Sequence, residues 1–72
     1  MSVHRIIWVS PIAEGWAVRC AELETLVFRS GRRAEEQAKR LAACLAGLGR
    51  GAQVHIQDRR MNLIGTLRFP AA

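Results

Sequence analysis

RRAEEQAKRLAACLAGL, residues 32–48, is the longest periodic stretch in the chain. Ala34, Ala38, Leu41, Leu45 and Leu48 recur at spacings of three and four, which lines them along one face of an α-helix. That face is expected to pack inward. On the rest of the surface, Glu35 precedes Lys39 by four and Glu36 precedes Arg40 by four. Each pair has the favourable order and is worth about 0.2–0.5 kcal/mol, as on a solvated helix face. Just upstream, the Ser30 hydroxyl is placed to accept a free N–H of the first turn. Arg33 stands where a capping box would carry Glu. Downstream, Gly47, Gly49 and Gly51 end the helix, because glycine takes the left-handed cap conformation cheaply.

Outward from the helix, every other run reads as a strand or a turn. Residues 3–9 are rich in β-branched side chains. Two orientations are open. If Ile7 and Val9 point inward, so does Arg5, whose head must then reach solvent at an edge. If Ile6 and Trp8 point inward, Ile7 and Val9 occupy the other face. Either way both faces carry apolar groups, which suggests a strand covered on both sides, for instance by a partner chain. Residues 10–15, with Pro11 and Gly15, read as a turn. In 16–20, Trp16, Val18 and Cys20 alternate with Ala17 and Arg19, completing a hairpin with a loop of about five residues. A turn at 21–25 leads to a short strand at 26–29, with Leu26 and Phe28 opposite Val27 and Arg29.

Beyond the helix, residues 52–57 turn Val54 and Ile56 inward and Gln53, His55 and Gln57 outward. A polar turn follows at 58–62. The last strand, 63–69, has Leu63, Leu67 and Phe69 on one face and Thr66 and Arg68 on the other, and Pro70 stops it. The order is β-β-β-α-β-β. The expected fold class is α+β: one domain over residues 1–72, two layers, the helix packed on an antiparallel sheet.

The chain's 72 residues leave room for a single small core. Half of the residues are apolar, which suits a folded globular chain and argues against general disorder. No run approaches the roughly 18 apolar residues of a membrane span, and the apolar run at 6–9 is too short for a signal peptide. A cytoplasmic location is expected, with no membrane partner. Cys20 and Cys44 form no metal-ligand pattern with His4 and His55, and are read as reduced, half-buried small hydrophobes. Eleven Lys and Arg against six Asp and Glu give a net charge of +5, and ten of the eleven are arginine.

Several of these residues together resemble a known family. They are Val9 and Pro11, the run Gly15-Trp16-Ala17-Val18-Arg19, Phe28, the helix with Ala34, Ala38, Leu41 and Ala42, and Val54-His55-Ile56 before a polar turn at Asp58. The chain resembles the small bacterial family catalogued as domain of unknown function 2188, over most of its length. The family often has Asp-Gly in the last hairpin turn, where this chain has Asp58-Arg59-Arg60-Met61-Asn62. The resemblance implies a compact α/β module of bacterial or phage origin and no established activity, so it transfers no functional residue.

Two groups of residues are candidate sites. Ser30, Gly31, Arg32 and Arg33 sit where a helix N-terminus offers free N–H groups, and two guanidiniums could add bonds to a phosphate. The bland alternative is a pair of exposed arginines. The Lys-Ser/Thr ending of a phosphate-binding glycine loop is missing. The second group is the sheet face away from the helix, where Arg19, Arg29, His55 and Arg68 alternate outward and Arg5 could join them. Such a face can meet nucleic-acid phosphates. All four aromatics can be placed in or near the core, which argues against base stacking. A solvated or self-packed face is the plainer reading. Arg59 and Arg60 read as a solvated turn.

No pair of acids, Cys-His-Asp set or phosphate loop stands at usable spacing, so neither an enzyme nor a cofactor is expected. The leading functional expectation is a non-catalytic interaction module that self-associates through a sheet edge or its open face. The alternative is a basic, sequence-tolerant binder of the DNA or RNA phosphate backbone.

Overall fold

A computed structural model describes residues 5–21 and 23–71. Val3 and His4, the expected start of the first strand, and Glu22 in the second turn lie outside the described residues. The elements are β1 (Arg5–Ile12), β2 (Gly15–Cys20), β3 (Leu26–Phe28), α1 (Gly31–Gly47), β4 (Ala52–Gln57) and β5 (Leu63–Phe69). The five strands form one sheet in the order β3-β2-β1-β4-β5. The helix covers one face, so the α+β class and the element order stand as expected.

The sheet is mixed, not antiparallel. β1 pairs antiparallel with β2, β2 with β3, and β4 with β5, but β1 and β4 run parallel. The reason lies in the connections. Each hairpin reverses the chain, whereas α1 carries it back along the sheet. β4 therefore runs in the direction of β3, which is also that of β1.

Ile7 and Val9 face the helix and are fully buried, in one cluster with Val18, Cys20, Ala34, Ala38, Ala42, Leu45, Ala52 and Val54. This settles the orientation of β1. Arg5 shares their face, and its Nη1 donates to Ala21 O at 3.3 Å in an exposed contact. The apolar strand thus tolerates a guanidinium, because its head reaches the sheet's end.

β1 also runs further than expected. Pro11 pairs with Trp16 and Ile12 with Gly15, leaving a two-residue turn at 13–14. The last β1–β4 pair is Val9–Ile56. Beyond it no second neighbour needs an N–H from Pro11, so proline is tolerated inside the strand. Gly15 has φ +149°, and a Cβ there would strike Phe28 O, so the hairpin admits only glycine.

In α1 the buried line is Ala34, Ala38, Ala42 and Leu45, with Leu41 at its border. Leu48, expected inward, is 72% exposed. It is the C-cap, one residue past the last helical turn. Three alanines in four buried positions let the helix lie close to the sheet. Ser30 caps the start, accepting from Arg33 N at 3.2 Å. At the other end Gly49 has φ +84°, Gly49 N donates to Ala46 O and Arg50 N to Leu45 O, each at 3.0 Å. This is a Schellman closure. Glu36 pairs with Arg32 at 3.5 Å rather than with Arg40, and no Glu35–Lys39 ion pair forms among the described residues.

β5 carries one irregularity. Ile56 pairs with Gly65 and Gln57 with Leu63, so Ile64 is an extra residue. The simple alternation slips there, and Leu63, read onto the face of Leu67 and Phe69, instead pairs with Gln57 and is exposed.

Candidate functional site

The open face of the sheet is built by the residues that alternate with the core. One rung crosses four strands: Arg19 on β2 pairs with Trp8 on β1, Trp8 with His55 on β4, and His55 with Thr66 on β5. The neighbouring rung is Ile6, Gln53 and Arg68. Trp8 and His55 meet edge to face, ring centroids 4.8 Å apart and planes at 77°. His55 Nε2 lies 2.9 Å from Gln53 Oε1, which as an acceptor makes Nε2 the donor. His55 Nδ1 is buried and has no hydrogen-bond partner among the described residues.

Beside Trp8 the face has a floor of small side chains. Ala17 is 1% exposed yet lies outside the helix-side cluster, and Ser10 is also buried. Ser10 Oγ donates to Gln57 Oε1 at 2.6 Å, and Gln57 Nε2 donates to Met61 O at 3.4 Å. Around this floor Ile6 and Val27 are exposed. The described carboxylates are elsewhere: Glu14, Glu24 and Asp58 in connections, Glu35 and Glu36 on α1. The face is therefore basic and apolar, with no acid on its strands.

The residues expected on this face divide. Arg19, His55 and Arg68 come together on two adjacent rungs. Arg29 lies one residue beyond β3, beside Gly15, four residues along β2 from Arg19. Arg5 lies on the opposite face. The aromatic expectation is corrected as well. Trp16, Phe28 and Phe69 pack against the core, but Trp8 does not. Its exclusion follows from alternation once Ile7 and Val9 point inward, so the signal was present in β1.

Ser30, Gly31, Arg32 and Arg33 come together at the start of α1. Gly31 packs on Trp16: a Cβ there would lie 2.9 Å from Trp16 Cε2. Ser30 Oγ is taken by Arg33 N, and the Arg32 guanidinium faces Glu36. Arg33 borders a cleft of about 330 Å³ that Phe28, Glu36, Gln37 and Arg40 also line. The guanidinium of Arg59, read as part of a solvated turn, lies 5.8 Å over the Trp16 ring. That turn is held by Asp58, whose Oδ1 accepts from Arg60 N at 2.8 Å and Asn62 N at 3.0 Å. The Asn62 N–H, ahead of the others, keeps the Asp58 carboxyl below its usual range against an opposing effect of burial.

Cys20 is buried and borders an apolar cleft of about 220 Å³ with Val18, Leu23, Leu26 and Leu41. Cys44, expected to be half-buried, is exposed, because the buried line of α1 passes through Ala42 and Leu45. Both are free thiols. Among the described residues no group of three or more His, Cys, Asp and Glu could hold a metal, and no helix is long and apolar enough to cross a membrane.

Comparison with known proteins returns no match: no family model, curated protein or solved structure aligns with the chain.

Proposed function

We propose that the chain is a small non-catalytic interaction module that self-associates through the edge strand β5. The observation that carries this reading is the inequality of the two sheet edges. β3 is three residues long, whereas β5 spans seven and bears the exposed Leu63, Ile64 and Leu67. A long apolar edge with free N–H and C=O groups is a template for another strand. Protein edges are commonly guarded by lysine, proline or an irregularity. In β5 the irregularity sits at Ile64 and the lone charge at Arg68, leaving the segment between them unguarded.

A second copy is the natural occupant. Antiparallel pairing of two β5 strands about a two-fold at Thr66 places Arg68 opposite Ile64 of the second copy, so like charges do not meet. One strand pair is a small interface, below about 1,200 Å², so association is weak and concentration-dependent.

Sedimentation velocity over about a hundred-fold range of concentration tests this. The sedimentation coefficient is expected to rise with concentration. Ile64→Lys and, separately, Thr66→Lys should hold the protein monomeric, the second by setting two ammonium groups face to face. A wild-type chain that stays monomeric throughout, or variants that associate unchanged, would overturn the reading.

A further inference from the structure

We propose that the open face of the sheet binds single-stranded nucleic acid, with a base against Trp8 and phosphates on Arg19 and Arg68. The proposal does not rest on edge pairing, since it concerns a different surface.

Charge complementarity selects the class of partner. The central rungs present Arg19, Arg68 and His55, and the described carboxylates all lie in connections or on α1. A second copy laid face to face would bring two arginine-bearing faces together with no carboxylate from a strand between them, so this face is poorly suited to itself. A polyanion is suited to it. The arrangement of the aromatic then narrows the class. Trp8 stands in the middle strand, between Arg19 on one neighbour and His55 on the other, next to the small residues Ala17 and Ser10. Ala17 and Ser10 are themselves buried, so the half-buried Trp8 indole is the surface that the middle of the face offers to a planar group. An unpaired base offers such a π-face, whereas a duplex keeps its bases stacked on one another. An acidic peptide would satisfy the arginines and leave the indole unused.

The spacing is compatible with one strand tracking across the sheet. Strands lie about 4.8 Å apart and alternate residues about 6.8 Å apart, so Arg19 starts about 5 Å from Trp8 and Arg68 roughly 12 Å away on the other side. Arginine arms on either side of the indole can thus reach phosphates flanking a central base. Gln53 and Thr66, on the same two rungs, add uncharged hydrogen-bonding groups. Nothing in the array reads a particular base edge, so recognition is sequence-tolerant.

The test is fluorescence anisotropy of a labelled oligothymidylate of about twelve nucleotides at about 50 mM salt, with a duplex of equal length and polyglutamate as competitors. Micromolar binding is expected, with the duplex and polyglutamate competing at least about ten-fold less well. Trp8→Ala should weaken binding about ten-fold or more, and Trp8→Phe, which keeps an aromatic face, by no more than about three-fold. Arg19→Ala and Arg68→Ala should each lower the slope of log affinity against log salt by about 0.7. Arg40→Ala, on the helix, should leave that slope unchanged. If Trp8→Ala does not fold, Arg19→Glu at its exposed position supplies the decisive variant, and it should abolish binding. The proposal is overturned if the oligothymidylate fails to bind, if duplex or polyglutamate competes equally, or if Arg19→Glu binds as the wild type does.

Discussion

Gly31 and Gly47 stand at the two ends of α1 and differ in what a methyl group would meet. At Gly31 a Cβ would press on Trp16, which is itself held between the helix and the Arg59 guanidinium. Gly31→Ala is expected to lower stability by about 1–3 kcal/mol, measured by urea unfolding. At Gly47 nothing lies within 4 Å, so Gly47→Ala should raise stability by about 0.4–1 kcal/mol in the same assay. Asp58 gives a pH dependence. Its folded pKa lies below the ordinary 3.8, so its contribution is present above that value and is lost as pH falls through the folded pKa. Asp58→Asn keeps an acceptor for the turn but not the charge, and should flatten the acid limb of stability below pH 3.8. At this scale the sequence was only partly legible. Ser30 announced its cap through residue type and position. The contact of Gly31 with Trp16 was not legible, because the ring it touches belongs to another element.

Elements were read best where periodicity and breakers agreed. The bounds of β4 and β5 match the alternating runs at 52–57 and 63–69, and α1 starts within one residue of its expected position. Ser30→Ala should cost about 1 kcal/mol in urea unfolding, since it leaves Arg33 N without its intramolecular acceptor. The errors arose where an element's limits depend on its neighbours. Proline ordinarily ends a strand, but Pro11 lies where β4 no longer flanks β1. Leu41 and Ala42 both fit a helical stripe. The sheet beneath selects Ala42, because small side chains allow the closer approach, and the same choice leaves Cys44 and Leu48 in solvent.

For the whole molecule, the parallel β1–β4 pair places β1 at the centre of the sheet and β5 at its edge. That order sets Trp8 between two basic neighbours and leaves β5 unflanked. Antiparallel pairing of two β5 strands has its two-fold perpendicular to the sheet, so both open faces would lie on the same side. Oligothymidylates long enough to span both faces should then bind more tightly than short ones, by about ten-fold or more through effective concentration. Ile64→Lys should remove that gain and leave the affinity for short oligonucleotides unchanged, as measured by anisotropy over a series of lengths. A gain that survives Ile64→Lys would place the second contact elsewhere.

By itself, the sequence determined the kinds of element, their order and most of the alternation, because these rest on local periodicity, caps and turn residues. It also determined that Arg19, His55 and Arg68 would share a face, since each alternates with an inward apolar residue. Only the tertiary structure decided the direction of β4 against β1, the inward face of β1 and hence the place of Trp8. Those depend on which strands become neighbours after the helix crosses the sheet, a long-range choice that no local spacing records. The first turn of the helix shows the same division. Its cap and the Arg32–Glu36 pair, four residues apart on one helix, are local, while the contact of Gly31 with Trp16 was decided only by packing.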